Sequence, residues 1–123
     1  MILDLSHELY MGMPVYPGDK EPELKTLTFQ DDLQITELKI NVHTGTHIDI
    51  PLHYFKDREP IETFDLDKCY GNAVVIDCSS ITDKQITFEI LKKYETADFL
   101  LFYTGWDKFW GSYNYFQGYP VMN

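Results

Sequence analysis

The sequence predicts an α/β fold, because strand-like and helix-like segments follow one another in its second half. Two short, continuous apolar runs, at residues 73–77 and 99–103, have the length and composition of buried strands. Between them, residues 80–93 contain the best helix candidate of the chain. A strand, a helix and a second strand in this order form an α/β unit.

The first third of the chain is expected to be mostly extended. Met1–Leu5 is short and apolar-rich, which predicts a first strand. Tyr10–Lys20 predicts a loop, in which Pro17-Gly18 favours a type II turn. Glu21–Asp32 is polar and mixed, and it predicts an extended segment.

A second strand is predicted over Gln34–Val42, directly before the histidine-rich part of the chain. Apolar and polar residues alternate from Leu38 to Val42, which predicts one buried face. Because Leu33 and Ile35 fall on the opposite parity, a bulge near residue 36 or 37 is an alternative.

In the second half, a solvated loop and an acidic connector precede the first apolar run. That run, at residues 73–77, is continuous and predicts a strand buried on both faces. Thr87 is the expected N-cap of the helix within residues 80–93. The dense aromatic tail that begins at Trp106 is expected to be structural, with a pocket wall as the alternative.

Length and charge narrow the classes of protein. At 123 residues the chain is expected to form one domain with a real core. The net charge of −10 and the absence of a basic cluster argue against a nucleic-acid partner and against an anionic membrane. No signal peptide or membrane span is expected. Cys69 and Cys78 suit a reducing cytosol as free thiols, so a cytoplasmic protein is expected.

Residues 43–53, which spell HTGTHIDIPLH, contain three of the four histidines of the chain. A helix is disfavoured here by the threonines, the glycine and Pro51. In an extended chain, His47 and Asp49 share a face at roughly 6.6 Å, whereas His43 and His47 would lie about 13 Å apart. A bend is therefore required, and Gly45 can supply it. We expect His43, His47 and Asp49 to meet at one metal ion.

The stretch matches every fixed position of the pattern His-x-Gly-Thr-His-x-Asp-x-Pro-x-His. In this it resembles the cyclase family of metal-dependent hydrolases, which includes bacterial kynurenine formamidase (arylformamidase) and isatin hydrolase. The resemblance also covers Asp4-Leu5-Ser6-His7, Met13-Pro14-Val15-Tyr16-Pro17-Gly18-Asp19 and Thr104-Gly105-Trp106.

The resemblance implies roles for five side chains. His43, His47 and Asp49 would bind a divalent metal, and His53 would transfer protons near a metal-activated water. Tyr16 would contact an aromatic substrate, and packing against its neighbouring prolines is the alternative. Zinc is the first expected metal and manganese the second. The expected reaction is hydrolysis of an amide bond in an aryl formamide or a cyclic amide, with N-formylkynurenine as the default substrate.

The resemblance further implies a swivelling β/β/α-type single domain with a mixed sheet. Family enzymes commonly hold a second metal through a later histidine and glutamate, but no histidine follows His53. The chain is therefore expected to be the N-terminal portion of a longer protein, with an incomplete fold that exposes core surface and favours a homo-oligomer. A non-catalytic metal-binding remnant and a complete mononuclear zinc enzyme stay open as alternatives. For His7, a local hydrogen-bonding role is favoured over a metal role, and Thr46 could orient a ligand.

Overall fold

A computed structural model describes residues 1–29, 32–94 and 96–123. The chain divides into two compact units, Met1–Arg58 and Glu59–Asn123. The expectation of one domain over residues 1–123 stays a prediction. Within the described residues, no helix combines the length and the apolar character that crossing a membrane requires.

The first unit contains one antiparallel hairpin of β1 (Glu23–Thr28) and β2 (Gln34–Lys39). The extended segment predicted over Glu21–Asp32 is confirmed in β1, while Gln30 and Asp31 lie outside the described residues. The pairing is regular throughout, so the bulge considered near residues 36 and 37 is wrong.

The predicted buried face of the second strand is also wrong. All six residues of β2 are exposed, because the hairpin stays a two-stranded sheet in the described part of the chain. The strand ends at Lys39 rather than Val42, since the backbone turns at Asn41.

Ahead of the hairpin, the chain is irregular. The strand predicted over Met1–Leu5 is wrong, and these residues are exposed. Asp4 instead closes a local turn, in which its Oδ1 accepts hydrogen bonds from Ser6 N (2.9 Å) and Ser6 Oγ (2.6 Å). The turn predicted at Pro17-Gly18 is confirmed by the bond from Asp19 N to Tyr16 O (2.9 Å) and by the φ of 100° at Gly18.

The second unit contains the predicted α/β unit. Strands β3 (Ala73–Asp77) and β5 (Phe99–Tyr103) pair in parallel with the predicted bounds. Two short strands, β4 (Gln85–Ile86) and β6 (Val121–Met122), form a second parallel pair. The unit therefore has the strand, helix and strand order that the apolar runs predicted.

The core of this unit consists of Ile76, Cys78 and Ile86, with Ile90 and Phe102 packed against them. Only one face of the β3–β5 pair is covered in this way. Side chains of the opposite face are exposed, so the prediction of strands buried on both faces is wrong; they include Val75, Leu101 and Tyr103.

The helix begins directly after Thr87, as predicted. Helix α1 covers Phe88–Leu91 and continues as a 3-10 turn over Lys92–Tyr94, while residues 80–86 form a turn and β4. Thr87 occupies the predicted N-cap position, but its side chain makes no capping hydrogen bond. Further 3-10 turns are Pro51–His53, Ile61–Thr63, Leu66–Cys69, Trp106–Phe109 and Tyr113–Phe116.

The aromatic tail makes structural contacts within the second unit. Trp106 Nε1 donates a hydrogen bond to the carbonyl oxygen of Tyr115 (2.9 Å). The Lys84 ammonium lies 5.0 Å from the centre of the Trp106 ring, within the range of a cation–π interaction. These contacts agree with the structural role expected for the tail.

Candidate metal centre

The histidine loop, residues 43–53, begins with a tight turn. Asn41 accepts hydrogen bonds at two atoms, from Thr44 N at its carbonyl oxygen (2.9 Å) and from His43 N at its Oδ1 (3.0 Å). Gly45 then adopts a φ of 69°, which L-residues with a Cβ rarely take. The bend predicted at this glycine is confirmed.

The bend brings His43, His47 and Asp49 together. Asp49 Oδ1 lies 2.9 Å from His43 Nδ1 and 3.5 Å from His47 Nε2. The side chain of Asp49 is 47% exposed, that of His43 35% and that of His47 29%. The three side chains therefore line an accessible surface rather than the core. The convergence expected from the spacing is present, while their role as ligands stays a prediction.

A hydrogen bond fixes the orientation of His47. Its Nδ1 lies 2.9 Å from the carbonyl oxygen of Gly45. Because a carbonyl oxygen can only accept, this contact requires a proton on Nδ1. In a neutral imidazole the lone pair is then on Nε2, the atom that faces Asp49, and this is the tautomer that a metal ligand needs.

The proton-transfer role expected for His53 requires it to lie near the cluster, and it does. Pro51 starts a 3-10 turn whose backbone bonds include His53 N to Ile50 O (2.9 Å), and this turn folds the chain back. The His53 ring centre lies 4.2 Å from that of His43. Pro51, two residues before His53, is the sequence signal for the 3-10 turn that brings His53 back towards His43.

The donor set fits a divalent metal. One atom each from His43, Asp49 and His53 lies within 4.8 Å of the other two. Two imidazole nitrogens and a carboxylate oxygen are the donors that zinc accepts, at about 2.0–2.2 Å. His43 and Asp49 are common to this trio and to the predicted trio with His47, so the two differ only in the third ligand.

The remaining predicted residues lie outside this cluster. Tyr16 is 63% exposed at the first position of its turn, and its contact with a substrate stays a prediction. His7 is linked to the histidine loop through its backbone, because its N–H donates a hydrogen bond to Thr46 Oγ1 (2.9 Å).

The chain is similar to several known proteins. The family model Cyclase, described as "Putative cyclase", matches residues 3–123. A kynurenine formamidase from Erythrobacter litoralis is 32% identical over 111 residues, which are 88% of this chain and 50% of that protein. An uncharacterized protein from Methanocaldococcus jannaschii is 36% identical over 123 residues, which are 98% of this chain and 58% of that protein.

A solved structure is similar as well. It is that of a predicted metal-dependent hydrolase from Bacillus stearothermophilus, with a TM-score of 0.69 and 29% identity, covering 98% of this chain and 57% of the other. The chain thus spans about half the length of the curated relatives named here (50% and 58%). Because the family model matches nearly the whole chain, this protein belongs to the cyclase family of metal-dependent hydrolases.

Proposed function

We propose that this chain carries the metal-binding part of a hydrolase site for amide bonds in aryl formamides or cyclic amides. His43, His47 and Asp49 hold the divalent metal. The observation that carries the proposal is the position of Asp49 Oδ1, 2.9 Å from one histidine nitrogen and 3.5 Å from the other. Three donors that converge in this way on an accessible surface are what a hydrolytic metal site requires.

When bound, the metal would supply Lewis acidity, which polarises a carbonyl group and acidifies water. His53 would take a proton from the attacking water and return it to the leaving amine. Its ring lies against His43, and an imidazole can exchange protons near neutral pH. Tyr16 offers an exposed ring for an aromatic substrate.

Zinc is the proposed metal, with manganese second, because nitrogen and oxygen donors suit both. The proposed substrate is N-formylkynurenine or a compound like it, since two of the named features of the site, the histidine loop and Tyr16, match the family pattern. The similarity to a kynurenine formamidase supports this choice.

We also propose that the chain forms a homo-oligomer. Large apolar side chains are exposed in both units, among them Phe29 (52%), Leu33 (59%) and Val75 (65%). Exposed apolar surface of this kind favours self-association. Sedimentation velocity that finds only monomer at micromolar concentrations would contradict this proposal.

A second candidate function is metal binding without turnover. Residues 1–123 contain no histidine after His53, so these residues by themselves offer ligands for the first metal and not the later histidine that family enzymes commonly use for a second one. The two candidates share the first metal and differ in catalysis.

The test is metal content by elemental analysis of the purified chain, followed by hydrolysis assays on N-formylkynurenine with added zinc or manganese. Bound metal with release of formate supports the hydrolase. Bound metal without formate release supports the second candidate. A chain that stays metal-free after incubation with either ion refutes both.

A further inference from the structure

We infer that Thr46 is a positioning residue, which joins the N-terminal segment of the chain to the histidine loop and so holds the His47 imidazole in its metal-facing orientation. The inference rests on the proposed metal site. It concerns a side chain that contributes no metal ligand to either of the trios described above.

The first observation is a hydrogen bond between distant parts of the first unit. Thr46 Oγ1 accepts from the backbone N–H of His7 at 2.9 Å, and the two residues are 39 positions apart. Such a bond is directional and ties the loop to a segment that approaches it from elsewhere in the chain.

The second observation is the position of Thr46 within the loop. The peptide bond between Gly45 and Thr46 carries the carbonyl oxygen that accepts from His47 Nδ1 at 2.9 Å. A rotation of this peptide plane would therefore break the bond that orients His47. Because Thr46 is the residue on the nitrogen side of the plane, anchoring its side chain restricts that rotation.

The third observation is close packing beside the anchored residue. Met13 is only 2% exposed. A Cβ placed on Gly45 would lie 3.2 Å from Met13 Cε and 3.3 Å from Leu9 Cδ2. Segment 7–13 thus contacts the loop twice, through apolar packing at Gly45 and through the hydrogen bond at Thr46. The packing limits how far segment 7–13 lies from Gly45, and the hydrogen bond orients the Thr46 side chain.

The neighbouring threonine provides a matched control. Thr44 is 6% exposed, and its Oγ1 has no hydrogen-bond partner among the described residues. Replacing Thr44 by valine removes a hydroxyl of the same kind, two positions away, without breaking a described hydrogen bond. Thr44→Val should therefore leave metal affinity unchanged.

The experiment measures zinc affinity by competition with a chromogenic chelator for the wild-type chain and for Thr46→Val, Thr46→Ser and Thr44→Val. Loss of a group hydrogen-bonded directly to a metal ligand typically lowers affinity by about 10- to 100-fold. Because Thr46 acts through the Gly45–Thr46 peptide, Thr46→Val should weaken zinc binding by about 10-fold, the lower end of that range. Thr46→Ser keeps the hydroxyl and should restore the wild-type affinity. Hydrogen exchange at the His7 amide should accelerate in Thr46→Val and not in Thr46→Ser.

Several results would overturn the inference. One is wild-type zinc affinity in Thr46→Val, and another is an equal loss of affinity in both valine variants, which would indicate a general effect on packing. If Thr46→Val does not fold, Thr46→Ser decides the question. Weakened zinc binding in a folded Thr46→Ser would also overturn the inference, because this variant keeps the hydroxyl. A wild-type chain that binds no zinc would overturn the metal site and this inference with it. A wild-type chain that binds zinc, with the same affinity in Thr46→Val, would overturn this inference alone.

Discussion

The histidine loop and the core of the Glu59–Asn123 unit are held in place by different interactions. In the loop, the side chains of His43, His47 and Asp49 are 29–47% exposed, and their orientation depends on the turn at Gly45 and on hydrogen bonds. In the other unit, Ile76 and its neighbours are buried, and apolar packing sets theirs. Binding and catalytic side chains are often carried by loops, whereas stability depends mainly on a packed core. Function and stability should therefore respond to different substitutions.

The largest expected effect is that of Asp49→Ala. This change removes the oxygen that lies near both His43 and His47. Because loss of an outer partner alone costs up to about 100-fold in metal affinity, loss of the ligand itself should exceed that factor. A zinc titration measures it. Asp57→Ala, in the same unit, removes one exposed carboxylate and is the control. Full zinc occupancy in Asp49→Ala would exclude Asp49 as a ligand.

The next effect distinguishes two histidines of the loop. His53→Ala should keep zinc bound and lower turnover by about 10²- to 10⁴-fold, the usual contribution of a general acid–base group. His47→Ala should instead lose zinc. Parallel zinc titrations and turnover assays on both variants measure this. The opposite pattern, with zinc lost only in His53→Ala, would show that the trio within 4.8 Å is the ligand set.

A third change should affect the scaffold and spare the loop. Ile76→Ala leaves a cavity in the core, where large-to-small changes typically cost about 2–5 kcal/mol of unfolding free energy. Val75→Ala, one residue earlier on the exposed face, should cost within about 0.5 kcal/mol. Urea denaturation measures both. If folded Ile76→Ala bound zinc more weakly than Val75→Ala, the separation between core and loop would be wrong.

Strand pairing explains which parts of the fold could be predicted from the sequence. The strands at 73–77 and 99–103 were predicted with their observed bounds, because their apolar runs are continuous and the two strands pair with each other. Met1–Leu5 is also apolar-rich but has no strand partner among the described residues, and it is irregular. Local composition indicates that a segment could be a strand, whereas pairing decides whether it becomes one.

The site was predictable to a similar degree. Spacing indicated that His43, His47 and Asp49 would converge once Gly45 bends the chain, and both the bend and the convergence are present. The resemblance implied that His53 lies near the metal, but spacing alone could not indicate its contact with His43, because that contact depends on how a 3-10 turn folds the chain back. The sequence suggested that Thr46 could orient a ligand, but not its hydrogen bond to His7, because the two residues are 39 positions apart and no local pattern encodes such a distance.

The smallest expected effect compares one turn that occurs in both units. Hydrogen bonds from the side chain and the backbone of Ser79 lower the pKa of Asp77, and Ser6 lowers the pKa of Asp4 in the same way. Ser79→Ala should raise the pKa of Asp77 towards its ordinary value, because the hydroxyl donor is the larger cause. NMR titration of the carboxyl carbon measures the shift.

A lowered folded-state pKa stabilises the fold above the unfolded-state pKa, and this stabilisation is lost as pH falls through the folded-state value. Ser79→Ala should therefore reduce stability slightly at neutral pH and not at all in strong acid. Ser6→Ala should shift the pKa of Asp4 in the same direction, because the two turns share their geometry, with bonds of 2.9 and 2.6 Å in each. If Ser6→Ala also weakened zinc binding while Ser79→Ala did not, the segment that braces the histidine loop would extend from His7 back to Asp4.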